Sequence, residues 1–278
     1  MSGSRLSLRD TIRPIAFAIV FATLGFTLRA ALKLLLDVEL AKWIASLANL
    51  ILAALGAFVV FPRWLKQPFG EVGLAEYSHR PGFYLPAGAW KHVLLGIVLA
   101  LCTLSGMWVG SLLGGGYALD GSSVTLSHVL FSLNPGVWEE FFYRGITMIV
   151  LLKCTRSIRQ AALIQILIFG LLHVKGVDLW SWVDVVTVMV IAVAFTYSAY
   201  KTRVLLSGIV FHFFHDVFLL VVQSPGGEAA GFARQGLFYL ALWVMVGVAC
   251  FAIKVAAERL GVQAQDELYQ SAADRQST

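Results

Sequence analysis

Long apolar stretches, separated by short clusters of charged residues, glycines and prolines, dominate the hydrophobic pattern of this chain. Within these stretches the apolar positions run on without a polar face, as expected for helices surrounded by lipid or by other helices. An α-helix needs roughly 20 such residues to cross a bilayer. The pattern predicts eight transmembrane helices, at 14–36, 41–61, 91–113, 124–152, 159–173, 180–200, 204–222 and 235–255.

Composition supports this interpretation. The 278 residues are 59% hydrophobic and 13% charged, with a mean hydropathy of +0.79, whereas soluble domains are about 45–50% apolar and about 25% charged. We therefore predict an all-α fold, a polytopic integral membrane helical bundle with about eight transmembrane helices. Residues 1–262 are expected to form a single membrane domain, and the polar segment 263–278 a disordered cytoplasmic tail.

The net charge of +5 reflects topology in this pattern, and no nucleic-acid partner is expected. Fifteen of the 21 Lys and Arg residues fall on the side of the predicted bundle that carries the N-terminus, and four on the opposite side. Basic residues accumulate on the cytoplasmic side of membrane proteins. Both termini are therefore predicted to be cytoplasmic, in a multi-pass protein of the plasma membrane. The basic and apolar N-terminus resembles a signal peptide but lacks a small-residue cleavage site, so it is interpreted as the first span.

Three ionisable residues lie within the apolar stretch WEEFFYRGI, namely Glu139, Glu140 and Arg144. Charged residues inside membrane spans are costly, and by default they indicate a functional site. Glu140 and Arg144 have the i,i+4 spacing of a helical ion pair, which leaves Glu139 without a local cation. Asn134-Pro135 is typical of a helix start, so the main helix is predicted to begin at Pro135, after a short helix capped by Ser122 or Ser123. The glutamates would then lie in its first turns, where the helix dipole favours negative charge.

Further candidates are His173, at the end of the fifth span, and His212 and Asp216, which share one face of the seventh. Counted along each helix at 1.5 Å per residue, Glu139 and His173 lie about 21 Å from the flanking cytoplasmic charges. On the same count, His212 and Asp216 lie about 14–20 Å from theirs. All four are therefore expected to meet at one level. Two carboxyl groups and two imidazoles enclosed in this way could activate water.

These residues carry a family resemblance. The patterns E-E-x-x-x-R at 139–144, F-x-x-x-H at 169–173 and H-x-x-x-D at 212–216 resemble the three motifs of the CAAX protease and bacteriocin-processing family. Its members, also called abortive-infection-type or type II CAAX prenyl proteases, are intramembrane endopeptidases. Order, spacing and placement on successive spans all match, and the resemblance covers about 120–225.

The resemblance implies that Glu139 is the general base and that His173 helps it to polarise water. It also implies that Glu140 and Arg144 form a supporting ion pair, and that His212 and residue 216 hold the oxyanion. CAAX-processing members carry asparagine at the last position, although aspartate occurs in the broader family. An ionised Asp216 cannot donate to an oxyanion, so it would be protonated, orient His212, or bind a metal.

We favour a site without a metal cofactor, but zinc on Glu139, His173, His212 and Asp216 stays open. From spacing alone, the acidic cluster could also be a structural ion pair, and His173 a histidine that merely ends its helix.

The predicted function is an intramembrane endopeptidase that cleaves a membrane-associated protein or peptide, with lipid-modified substrates among the candidates. The alternative is a catalytically inactive family member that acts as an immunity or partner-binding protein, or a transporter. Transporters usually carry paired broken helices and internal repeats, and the sequence shows neither.

Overall fold

The computed structural model describes residues 27–28, 31–32, 34–55, 88–114, 118–122, 124–148, 151, 155, 157–202, 204–223 and 232–262. Most of the predicted first span, the loop at 62–87 and the tail at 263–278 lie outside these residues. The predictions of one domain and of cytoplasmic termini therefore stay predictions.

The described part of the chain is helical, which confirms the predicted all-α class. A two-residue antiparallel ladder, which pairs Ala118 with Gln223 and Leu119 with Val222, accompanies the helices. In chain order the elements are α1 (Val38–Leu55), α2 (Ala89–Gly114), β1 (Ala118–Leu119), α3 (Leu126–Glu139), the π-helix π1 (Glu140–Thr147), α4 (Ile158–Leu171), α5 (Leu179–Thr202), α6 (Leu206–Val221), β2 (Val222–Gln223) and α7 (Phe232–Leu260).

Among the described residues, three helices are long and apolar enough to cross a membrane: Ala89–Leu113, Leu179–Thr202 and Gln235–Leu260. They match the predicted spans at 91–113, 180–200 and 235–255. Shorter apolar helices occupy three further predicted spans, at Leu40–Ile51, Ile158–Leu171 and Leu206–Val221. The structure thus agrees with a membrane bundle, and the total of eight spans stays a prediction.

Close helix packing in the bundle depends on small residues. A Cβ atom at Gly106 of α2 would lie 2.7 Å from the Met245 side chain of α7, and one at Gly96 would lie 2.7 Å from the Ser207 carbonyl oxygen of α6. Small residues let helix backbones approach closely, which strengthens packing within a membrane. The contact at Gly96 places α6, the helix that carries His212 and Asp216, directly against α2.

The predicted helix start at Pro135 is wrong. The helix α3 begins at Leu126, where Thr125 Oγ1 accepts from the His128 backbone N–H and the His128 side chain accepts from the Thr125 N–H. Pro135 lies inside this helix and removes one backbone donor, a loss that membrane helices tolerate when neighbours pack around them. The packing comes from Gly136, where a Cβ would lie 3.0 Å from the Ile209 carbonyl oxygen of α6.

The helix changes its winding at the glutamates. Glu139 ends α3, and Glu140 begins the π-helix π1. The glutamates therefore do not lie in the first turns of a helix, and the expected support from an N-terminal dipole is not available to them. Local π-helical turns are rare and often occur at functional sites.

Candidate active site

A buried hydrogen-bonded chain links π1 to α6. Glu140 Oε1 accepts from Arg144 Nη1 at 3.0 Å, which confirms the ion pair predicted from the i,i+4 spacing. The same oxygen lies 3.0 Å from His212 Nδ1. A carboxylate only accepts hydrogen bonds, so Nδ1 of His212 carries the proton here. The Glu140 and Arg144 side chains are fully buried. Glu140 therefore holds the imidazole of His212 in place through its Nδ1 atom.

Aromatic rings enclose the buried cation. The guanidinium carbon of Arg144 lies 4.2 Å from the ring centre of Phe169 and 5.0 Å from that of Phe195. Phe195 of α5 also stacks on His212, with ring centres 4.6 Å apart and planes inclined by 23°. Cation–π contacts of this kind stabilise a charge that has lost its water. Sequence reasoning missed Phe195, since a phenylalanine in an apolar helix carries no distinguishing signal.

Glu139 and Asp216 approach the other nitrogen of the same imidazole. Nε2 of His212 lies 3.8 Å from Glu139 Oε2 and 3.7 Å from Asp216 Oδ1. Both carboxyl side chains are 23% exposed, whereas that of His212 is 7% exposed. The two acids are therefore the more accessible part of the cluster, and neither lies within hydrogen-bond distance of Nε2.

His173 follows the end of α4, and the centre of its ring lies 4.7 Å from that of Phe169. Its Nδ1 lies 2.7 Å from the Phe169 carbonyl oxygen. A carbonyl oxygen only accepts, so Nδ1 carries a proton, and in the neutral imidazole Nε2 then keeps its lone pair. His173 interacts electrostatically with His212 and with Asp216. Its place in the predicted catalytic site stays a prediction.

Two further ionisable residues of the predicted spans are His215 and Arg29. His215 is buried one position before Asp216 and contacts the ring of Phe211, and its Nδ1 has no hydrogen-bond partner among the described residues. Arg29 lies outside the described residues. Within the described ranges, no group of three or more His, Cys, Asp or Glu side chains is arranged to hold a metal ion. The zinc alternative stays open, and no step below depends on a metal.

The three described helices of membrane-spanning length indicate a helical membrane protein, and carboxyl and imidazole groups meet where α3, π1 and α6 come together. Residues 121–218 match the family model described as Type II CAAX prenyl endopeptidase Rce1-like. The match confirms the resemblance predicted from the three motifs, and it includes all six candidate residues. At the level of the family, it supports a CAAX-type intramembrane protease. No curated protein matches the sequence.

Proposed function

We propose that this protein is an intramembrane endopeptidase in which Glu139 activates water. The observation that carries the proposal is the shared environment of His212. Its Nδ1 is held by the buried Glu140–Arg144 pair, while Nε2 faces the accessible carboxyl groups of Glu139 and Asp216. An imidazole fixed on one side and open on the other suits the stabilisation of a developing charge.

The reaction would begin with a water molecule between Glu139 and the lone pair of His173 Nε2. Glu139 takes a proton from this water as its oxygen attacks the carbonyl carbon of the scissile peptide bond. The carbonyl π electrons move onto the carbonyl oxygen, which becomes a tetrahedral oxyanion. A positioned general base of this type accelerates such a step by about 10²–10⁴-fold.

The oxyanion would accept a hydrogen bond from protonated Nε2 of His212. Because Nδ1 already donates to Glu140, donation from both nitrogens requires the imidazolium form, whose positive charge the surrounding carboxylates favour. When the intermediate collapses, the C–N bond breaks and Glu139 returns its proton to the leaving nitrogen. The products are a carboxylic acid and an amine. Asp216 is proposed to orient His212 and complement its charge.

The proposed substrate is a membrane-associated protein or peptide, and the family name makes a prenylated protein one candidate. We further propose that this protein lies in the plasma membrane, crosses it eight times and has both termini in the cytoplasm. The reaction as drawn needs no metal ion or other cofactor.

The test is cleavage of a quenched-fluorescent peptide library by the purified protein in detergent. Wild type would be compared with Glu139→Gln and His212→Ala, each with and without a chelator. Glu258→Gln is a matched control, since this exposed glutamate lies near the end of α7. All variants would first be checked for wild-type elution and melting temperature.

The proposal predicts a loss of at least about 10²-fold for Glu139→Gln. Glu258→Gln should cleave at the wild-type rate, and the chelator should change nothing. Wild-type activity in Glu139→Gln would contradict the assignment of the base. Loss of activity with chelator alone would move the site to metal chemistry. A folded wild type that cleaves no peptide would favour the partner-binding alternative.

A further inference from the structure

Gly208 lies one helical turn before His212 on α6. Residues 208, 212 and 216 are spaced four apart and therefore follow one face of the helix. The chemistry of the site occupies the second and third of these positions. The first is buried and carries no side chain.

The space next to Gly208 is occupied by a carboxylate. A Cβ atom at residue 208 would lie 2.9 Å from Glu140 Oε2, 3.6 Å from Cδ and 3.8 Å from Cγ. All three atoms nearest to this position belong to Glu140. A separation below 3.0 Å is not tolerated by real Cβ atoms, so a side chain here would displace the carboxylate.

Glu140 has little freedom to move away. Its Oε1 accepts from Arg144 and His212, both at 3.0 Å, and the group is completely buried. Rotating Oε2 away from α6 would also move Oε1, because both oxygens belong to one planar carboxylate. A displacement of a few tenths of an ångström would therefore stretch both hydrogen bonds and turn the imidazole of His212.

Other glycines of the bundle have a different role. At Gly96 and Gly106, an added Cβ would meet atoms of a neighbouring helix that belong to the general packing. At Gly247 of α7, which is exposed, an added Cβ would have no atom of the described residues within 4 Å. Gly208 differs from these glycines, because an added Cβ there would meet the carboxylate of Glu140, which binds His212.

We propose that Gly208 is a positioning residue, which lets the Glu140 carboxylate lie against α6 between Arg144 and His212. The face of α6 that serves the site then includes Gly208, one turn before His212. The corresponding sequence pattern is G-x-x-x-H-x-x-x-D in place of H-x-x-x-D. The role in catalysis rests on the proposed function. The contact between Gly208 and Glu140 does not, and it can be measured without any substrate.

The experiment is a double-variant cycle read by melting temperature in detergent. Gly208→Ala would be introduced into the wild type and into Glu140→Ala/Arg144→Met, a background that removes the carboxylate without leaving its cation unpaired. Gly247→Ala is the control in both. Alanine is ordinarily the better residue within a helix, so Gly→Ala stabilises unless something obstructs the new methyl group.

In the wild type, we expect Gly208→Ala to lower the melting temperature or to prevent folding. In the Glu140→Ala/Arg144→Met background it should leave the melting temperature unchanged or raise it, as Gly247→Ala should in both. Such a change of sign is the signature of a direct contact. An equal decrease in both backgrounds would overturn the proposal, as would an increase in the wild type.

Activity provides the second measurement. Gly208→Ala should lower kcat by roughly tenfold or more, because small misplacements of catalytic groups are costly, while KM should stay within about twofold of the wild type. Folded Gly208→Ala with wild-type kcat would refute the positioning role. An inactive wild type would refute the proposed function alone, and the thermal cycle would still decide on the contact.

Discussion

Removing the cation from the buried ion pair should destabilise the protein strongly. Arg144→Met keeps an unbranched apolar side chain between Phe169 and Phe195 but takes away the charge that faces Glu140 at 3.0 Å. Glu140 would then be a fully buried carboxylate with His212 as its remaining partner. Breaking a buried pair in this way costs about 3–5 kcal/mol.

The cost can be converted to a measurable shift. Each kcal/mol lowers the melting temperature of a domain of 150–250 residues by about 2–4 °C, so Arg144→Met should lose roughly 6–20 °C. Glu140→Gln/Arg144→Met should regain most of this loss, because glutamine is neutral and its amide oxygen can still accept from His212. Thermal unfolding in detergent, followed by size-exclusion chromatography, measures both.

Arg259→Met is the matched control, since Arg259 is exposed in the last turn of α7. Surface substitutions of this kind usually change stability by less than about 0.5 kcal/mol. The reasoning would be refuted if Arg144→Met had the same melting temperature as Arg259→Met. It would also be refuted if Glu140→Gln/Arg144→Met were no more stable than Arg144→Met alone.

Three further predictions concern one neighbour of the site and two other parts of the structure. Phe195→Leu removes the ring stacked on His212 and should lower kcat by about 2–12-fold, the equivalent of about 0.5–1.5 kcal/mol, whereas Phe195→Tyr should retain activity. Gly106→Ala would place a Cβ 2.7 Å from α7 and should cost about 1–3 kcal/mol in thermal unfolding. Hydrogen bonds from Ser181 lower the pKa of Asp178 at the start of α5, so its contribution to stability is present above the ordinary pKa and is lost as the pH falls through the lowered value. Asp178→Ala should therefore melt below wild type at pH 7, and the difference should narrow below about pH 4.

Spacing along single helices could be read directly from the sequence. Glu140 and Arg144 form the predicted i,i+4 pair, and His212 and Asp216 share the predicted face of α6. Both follow from helical geometry, which changes little between proteins. The apolar runs likewise predicted the helices of membrane-spanning length, because bilayer thickness fixes how long they must be.

Contacts between helices were beyond the sequence. Nothing in the pattern indicates that Glu140, and not Glu139, binds His212, because this depends on the winding of π1 and on its packing against α6. Pro135 looked like a helix start because its local preference is strong, but tertiary packing around Gly136 overrode it. The same holds for Phe195, whose role depends on its neighbours alone.

Water activated by Glu139 is the central claim, and isotope labelling tests it most directly. A membrane-anchored peptide would be cleaved in liposomes prepared in ¹⁸O-labelled water, and the products analysed by mass spectrometry. The account predicts one broken peptide bond, with one labelled oxygen in the new carboxyl terminus, and at least about 10²-fold less product from Glu139→Gln than from Glu258→Gln. An unlabelled carboxyl terminus, or equal product from the two variants, would contradict it.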